Sequence, residues 1–455
     1  MSSFPRSQSP FTALRHTDYR WFYIGQLFSL IGTWVQSTGQ GWLVTLLADS
    51  EQSASKWLGI VSILGALPMF LGAFIGGAIA DQFPKRTLIL WMQVAQCTIA
   101  LSMAALVMSG HIRLWHIPIF AALFGITHVF DMPARQAFLV DLVGKEDLPN
   151  AIGLNSSMFN GARVLGPWVA AKLIQTFGVG HGELAAVGQC FLVNGLSYIG
   201  VITGLLLVKV GREAIAKNKE PLTRQLKEVI TYLSSYRSGL ALITLLAGCS
   251  LCMTGDWILL PALAKFGLSA NAGGYGILMS MRGVGALIAA LLMASFTGFH
   301  KKGVLVLCSA FAWGLCSVLL ANCGSMAAGR WLIVAVGFSM ILFLVTTNTL
   351  LQTSTPDHLR GRVMGVHAWL MIGLTPLGSL FSSAIASAVG VVTALTIGGS
   401  LTMIIVLVVA LRFPALRNAK SALPRCPVRF RIKRITQREP IDHNVPPVAP
   451  SNAAS

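Results

Sequence analysis

The fold class this sequence predicts is an all-α polytopic membrane protein, with twelve transmembrane helices in two pseudo-symmetric six-helix halves. Three observations carry the prediction. The 455 residues are 54% hydrophobic and only 11% charged, whereas soluble domains carry about 25% charged residues; mean hydropathy is +0.69. Apolar runs recur along most of the chain instead of gathering in one core, and a run of ~20 residues crosses ~30 Å of hydrocarbon as a helix. Basic residues fall in alternate loops, the pattern of the positive-inside rule.

Taken in order, residues 1–17 read as a cytoplasmic start with no cleavable signal core. Helices are expected at about 18–47, 57–80, 86–109, 113–132, 149–178 and 184–209, giving an N-terminal half over 18–210. The polar stretch 211–237 is a cytoplasmic linker. Its apolar spacing at Leu222, Leu226, Ile230 and Leu233 predicts an amphipathic helix on the inner membrane surface. Six more segments, at about 238–264, 273–298, 303–324, 330–352, 361–388 and 390–412, form a C-terminal half over 238–412. Residues 413–455 are basic and proline-rich, the composition of a disordered cytoplasmic tail.

An even helix count puts both termini on one side. Alternating the loops gathers Arg15, Arg20, Lys85, Arg86, Arg135, Lys145, Lys301, Lys302, Arg360, Arg362, the linker and the tail on the cytoplasmic face. The opposite face keeps Lys56, Arg113, Lys172, Lys265 and Arg330. The implied location is the inner (plasma) membrane. A net charge of +18 would suggest nucleic acid in a soluble protein. Here its placement makes it a topology signal with attraction to anionic lipid, so the expected partners are the bilayer, a small-molecule substrate and protons, without nucleic acid. The chain is expected to act as a monomer.

Seven of the eight cysteines lie in or beside apolar runs and read as small packing residues. The Cys249-x-x-Cys252 pair has no second pair and no nearby histidine, so no metal is expected. No G-x-x-x-x-G-K-[ST], H-E-x-x-H or G-x-S-x-G occurs. The chain therefore reads as no enzyme, needing no cofactor and drawing energy from the proton motive force.

The halves repeat each other. Glu146-Asp147-Leu148 precedes the fifth segment and Asp357-His358-Leu359 the eleventh, 211 residues apart. Each of those segments then carries a Gly/Pro point, Gly166-Pro167 and Pro376-Gly378. Transporters are commonly built from such repeats, with the site between them near the midplane.

Between the second and third segments stands Gly77-x-x-x-Asp81-x-x-Pro84-Lys85-Arg86. It resembles the G-x-x-x-D-R-x-G-R-R signature of the major facilitator superfamily, with Gln82 and Pro84 as departures. The opening Arg20-Trp21 through Gly41-Trp42-Leu43-Val44, the stretch Pro133-Ala134-Arg135-Gln136 and the run Arg163-Val164-Leu165-Gly166-Pro167 are similar to the branch of enterobactin (siderophore) exporters and multidrug efflux proteins. The resemblance implies the major facilitator fold and a gate in which Asp81 meets the start of the eleventh helix near Arg360 and Arg362. Gly166 and Pro167 resemble the antiporter element G-P-x-x-G-G, with Ala170 and Ala171 in place of its last glycines. A proline kink needed only for packing is the alternative reading.

Charged residues inside membrane segments are functional candidates by default. Asp131, with His128 one turn earlier, Arg163, Asp256 and Arg282 are such residues. Arg163 falls ~20 Å into its helix by the 1.5 Å rise, near the midplane, and its nearest acidic candidate in the same half is Asp131. Asp256 and Arg282 sit toward the outer side, on adjacent segments that allow pairing. Asp256 or Asp131 is the expected proton carrier, since arginine keeps its proton; fixed structural ion pairs are the alternative. Gln36, Gln40, Asn155, Asn160, Thr347 and Asn348 are candidates for lining a substrate path. The whole reads as an exporter of a siderophore, drug or metabolite by proton antiport, with an uptake permease or a non-transporting membrane sensor as alternatives.

Overall fold

The computed structural model describes residues 11–80, 82–209, 237–295 and 301–417. Asp81, the expected amphipathic helix of the linker and the tail beyond 417 lie outside the described residues. Among those residues every regular element is a helix, and ten stretches are long and apolar enough to cross a membrane.

A 3-10 turn (Thr12–Arg15) leads into α1 (Thr17–Leu47), α2 (Glu51–Ala80) and α3 (Lys85–Met108). The second helix starts six residues before its expected position at 57. Ser50 explains the early start: its Oγ accepts the backbone N–H of Ser53 at 3.2 Å, a capping bond that satisfies an otherwise orphaned donor.

The fourth and fifth expected segments form one helical stretch, α4 (His116–His181), of 66 residues. Straight, it would run about 100 Å at 1.5 Å per residue. Its backbone breaks at Gly144 (φ 73°, ψ 176°), a conformation that costs glycine little. The expected end of the fourth helix at 132 is thus corrected. Pro133 withdraws one N–H, yet the helix continues because Ala134, Phe138, Leu139, Leu142 and Val143 bury against Tyr19, Phe22, Ile89 and Val201. Arg135 therefore lies within a helix instead of a loop. After Gly182 comes α5 (Glu183–Leu207).

The seventh expected segment, 238–264, is also corrected. It is divided into α6 (Arg237–Cys252), α7 (Gly255–Ile258), α8 (Leu260–Ala262) and a π turn (Leu263–Gly267). The Thr254 hydroxyl bonds back to the Ser250 carbonyl at the first break, a competition with the helix ladder that bends helices. Pro261 removes a donor further on. Next are α9 (Ala272–Ser295), α10 (Lys302–Asn322) and α11 (Met326–Ser354). The eleventh expected segment divides at Leu374 into α12 (Asp357–Gly373) and α13 (Thr375–Val389), because Pro376 cannot continue the ladder. α14 (Val391–Arg412) and a short α15 (Pro414–Arg417) end the described chain.

Packing sorts these helices into two groups, α1–α5 and α6–α15. Within the first, Gly25, Gly32 and Gly39 recur every seven residues along the face of α1 that meets α5. A Cβ on Gly25 would stand 2.6 Å from the Gly200 carbonyl oxygen, and one on Gly39 would stand 2.8 Å from Cys190 Cβ. Small residues of this kind let helices touch backbone to backbone, the usual device where lipid supplies no hydrophobic drive.

The two groups meet along two seams. The second arm of α4 runs against α9, where Ser280 Oγ donates to the Val164 carbonyl at 2.7 Å and Gly276 faces the Pro167 carbonyl and Ala171. α2 runs against α13, with Ser62 and Ser379 hydroxyls 2.8 Å apart. Exchanging the groups maps one seam onto the other, as the 211-residue repeat expects.

Gly25→Leu should weaken the fold by about 1–3 kcal/mol, the ordinary range for overpacking, whereas Gly153→Ala, with open space around it, should be neutral or better. Thermal unfolding of both variants in detergent checks this; equal melting temperatures would contradict the packing described.

Candidate functional site

Two adjoining cavities lie between the groups and share Trp257 and Met279 in their walls. The larger, about 430 Å³, is lined among others by Gln36, Gln40, His128, Tyr198 and Tyr275. The smaller, about 270 Å³, is lined by Trp34, Arg163, Asp256, Arg282 and Trp313.

The break at Met253-Thr254 directs Asp256 toward α9 and α10. Its carboxylate accepts Arg282 Nη2 at 2.9 Å on Oδ1 and Trp313 Nε1 at 2.7 Å on Oδ2. Arg282 Nη1 also reaches the Asp256 carbonyl at 3.0 Å. Asp256 and Arg282 are only 4% and 3% exposed, so each depends on the other for its charge to be tolerated. The Asp256–Arg282 pair that the sequence suggested is present. It is not set apart toward the outer side, since it shares a cavity with Arg163 and a Cβ on Gly283 would stand 2.9 Å from the Arg163 carbonyl.

Arg163 and Asp131 do not form a pair. Asp131 takes Arg135 Nε and Nη2 at 2.9 and 3.0 Å, an i,i+4 arrangement that exists only because α4 continues past Pro133. Gln93 joins it at 3.2 Å, and Gln96 and Thr127 extend the buried network. His128 bonds the Phe124 carbonyl at 2.8 Å and faces the larger cavity. Arg163 instead lies over the rings of Trp34 and Phe159, at 5.6 and 5.3 Å, and its Nη1 is buried without a hydrogen-bond partner. Trp34 meets Trp257 edge to face at 5.6 Å, and Arg282 lies 5.2 Å over Trp257. An aromatic bridge thus joins the two groups at this level.

Gln36 accepts Asn194 Nδ2 at 2.7 Å; it and Gln40 line the larger cavity. Asn155, Asn160, Thr347 and Asn348 line neither. Asn155 accepts the Tyr19 hydroxyl at 3.3 Å, Asn160 donates to the Ser156 carbonyl at 2.9 Å and Asn348 accepts Gln352 at 2.7 Å. Thr347 is fully buried in α11. Gly166 packs against Trp34 and the Ile31 carbonyl of α1, while Pro167 offers its carbonyl to Gly276. The Gly166-Pro167 step therefore sits where α1, α4 and α9 converge.

Gly77 lies in the last turns of α2. Of the remaining gate residues, Lys85 binds Asp141 at 2.8 Å and Arg86 donates to the Leu205 and Leu206 carbonyls that end α5. Arg360 Nε donates to the Gln352 carbonyl at 3.2 Å, and Arg362 lies at the start of α12.

The end of the bundle where α1 stops is closed by contacts that sequence reasoning missed. Glu51 Oε1 accepts the Val391 N–H at 2.6 Å, Lys265 Nζ reaches the Thr45 carbonyl, and Trp42 stacks on Tyr275 with centroids 5.7 Å apart. The first two place an acid at a helix N-terminus and a base at a helix C-terminus, where the helix dipole favours them. Nothing in the sequence spacing signals them, because the partners are 340 and 220 residues apart.

Comparisons with known proteins agree with this architecture. The chain is 25% identical over 405 residues to the staphyloferrin A transporter of Staphylococcus aureus (strain NCTC 8325 / PS 47), covering 86% of this chain and 94% of that protein. It is 26% identical to the multidrug efflux pump Tap of Mycolicibacterium fortuitum (84% and 92% covered) and 24% identical to the enterobactin exporter EntS of Salmonella typhi (90% and 95%). Among solved structures, an auto-inhibited POT family peptide transporter superposes with TM-score 0.66 at 12% identity, covering 87% of this chain and 96% of that one. A bacterial homologue of the iron transporter ferroportin, in its inward-facing state, gives 0.63 at 16% identity, covering 87% and 98%. The fold is that of a major facilitator superfamily transporter. Within that superfamily the chain belongs to the transmembrane secretion effector family, which matches residues 8–438.

Arg282→Gln leaves Asp256 buried with one partner fewer, and removing one member of a buried pair costs about 3–5 kcal/mol. The double variant Asp256→Asn/Arg282→Gln should recover part of that loss in thermal unfolding. A single variant as stable as wild type would contradict the pairing.

Proposed function

We propose that this protein is a secondary active exporter of the inner membrane. It carries a siderophore, drug or metabolite outward by alternating access, in exchange for protons. In this reading twelve crossings form two six-helix halves, both chain ends are cytoplasmic, and the monomer is the working unit. The observation that carries it is the cavity between two helix groups, lined by a buried Asp–Arg pair and closed at one end by inter-group contacts. The relatives named for siderophore and drug export support the direction. With the chain ends inside, the closed end is external and the state is inward-facing.

Antiport needs a group whose charge changes while its exposure alternates. Asp256 meets this requirement better than Asp131, because it lines the cavity, whereas Asp131 is held by Arg135 and Gln93 within the first group. Protonating Asp256 removes the charge that holds Arg282 and loosens α7 from α9. At the cytoplasmic side, the family resemblance gives Asp81 the role of a latch on the segment that begins near Arg360 and Arg362. A carboxylate there gains ~0.3–1 kcal/mol from the helix dipole, a bias small enough to release every cycle.

In everted vesicles with an acidified interior, accumulation of enterobactin should fall at least tenfold in Asp256→Asn and less than twofold in Asp131→Asn. Proton-driven accumulation at the wild-type rate in Asp256→Asn would refute the assignment. Asp81→Asn should insert and express normally but turn over several-fold more slowly; unchanged turnover in the same vesicles would count against the latch.

A further inference from the structure

The charges around the cavities do not balance. Arg163, Arg282 and Asp256 line the smaller one, while among the described residues the larger is lined by no lysine, arginine or carboxylate. Arg282 is committed to Asp256 through both Nη atoms, with Met340 Sδ at 3.3 Å as a further contact of Nη2. Arg163 has rings beside it but no acceptor for Nη1. A guanidinium does not deprotonate in proteins, so the site carries one positive charge in excess.

Each class of ligand meets that excess differently. A cation is repelled by it, and a neutral molecule leaves the charge unmatched. A carboxylate cancels the charge and accepts the guanidinium N–H donors, the pairing for which a planar fork is suited. Trp34 and Trp257, crossing at 86°, supply apolar walls next to the charge. We propose that Arg163 is the anchor of a binding site for amphiphilic organic anions, a carboxylate on a planar apolar body. This rests on the export reading for its purpose and narrows the cargo class. The anion then sits on α4 and the proton on Asp256 of the other group, so exchange follows from movement of the groups instead of competition for one side chain.

The test uses the purified full chain in detergent and three probes sharing one ring system: 1-pyrenebutyrate, its amide and 1-pyrenebutylammonium. Energy transfer from protein tryptophan to pyrene reports binding. The carboxylate should bind at least tenfold tighter than the amide, and the ammonium weakest. Arg163→Gln should erase the carboxylate's advantage while leaving amide affinity within twofold. Should that variant fail to fold, Arg163→Lys, which keeps the charge but loses the fork, should weaken the carboxylate alone by threefold or more.

Equal affinity for the three probes, a preference for the ammonium, or a carboxylate advantage that survives Arg163→Gln would overturn the proposal. Failure of the export reading is distinguishable. Vesicles that bind pyrenebutyrate with the expected preference but never accumulate it contradict export and support the anion site. Accumulation without charge preference contradicts the anion site alone.

Discussion

Charge inside an apolar bundle is the constraint around which this structure is arranged. Asp256 cannot be carried at 4% exposure without partners. Supplying them brings α9, through Arg282, and α10, through Trp313, onto the broken stretch that follows α6. The break at Met253-Thr254 is part of the same arrangement, because it aims the carboxylate into the cavity. On the other side, Arg163 is accommodated by the rings of Trp34 and Phe159 instead of by an acid. The cavity thus keeps one Asp–Arg pair and one charge in reserve.

The remaining architecture lets that site be reached. Glycines on α1 bring it close enough to α5 for backbone contact, which stiffens the first group, while small residues on α2 and α9 also serve the seams between the groups. Between the groups the polar contacts are individually modest. A hydroxyl pair such as Ser62–Ser379 contributes about 0.5–1.5 kcal/mol, and the helix-end contacts of Glu51 and Lys265 are of the 0.3–1 kcal/mol kind. Stiff bodies joined by weak, separable contacts are what a rocking movement needs.

Much of this was legible in the sequence, for reasons that can be named. Long apolar runs placed most of the helices to within a few residues, since hydrocarbon length leaves little choice. The Asp256–Arg282 pair was readable because buried charges seek partners on neighbouring helices. What failed was the end of the fourth helix at 132, one residue before Pro133. Ending the fourth helix there hid the Asp131–Arg135 i,i+4 pair and left Arg163 wrongly matched to Asp131. The helix breaks at Thr254 and Leu374 depend on side-chain competition with the backbone ladder, which hydropathy does not register. The contacts of Trp313, Glu51 and Lys265 were not legible because their partners are brought near only by the tertiary fold.

The central claim is that the two helix groups move as bodies about the charged cavity, closing one end as the other opens. Spin-label distances measure this directly, with one cysteine pair at Gln52 and Thr393 on the closed end and another at Ser157 and Gln352 on the opposite end, in a background freed of native cysteines. On acidification and on binding of pyrenebutyrate, the account predicts opposite changes, the first pair separating as the second draws together. Distances that stay fixed, or that lengthen at both ends, would contradict it.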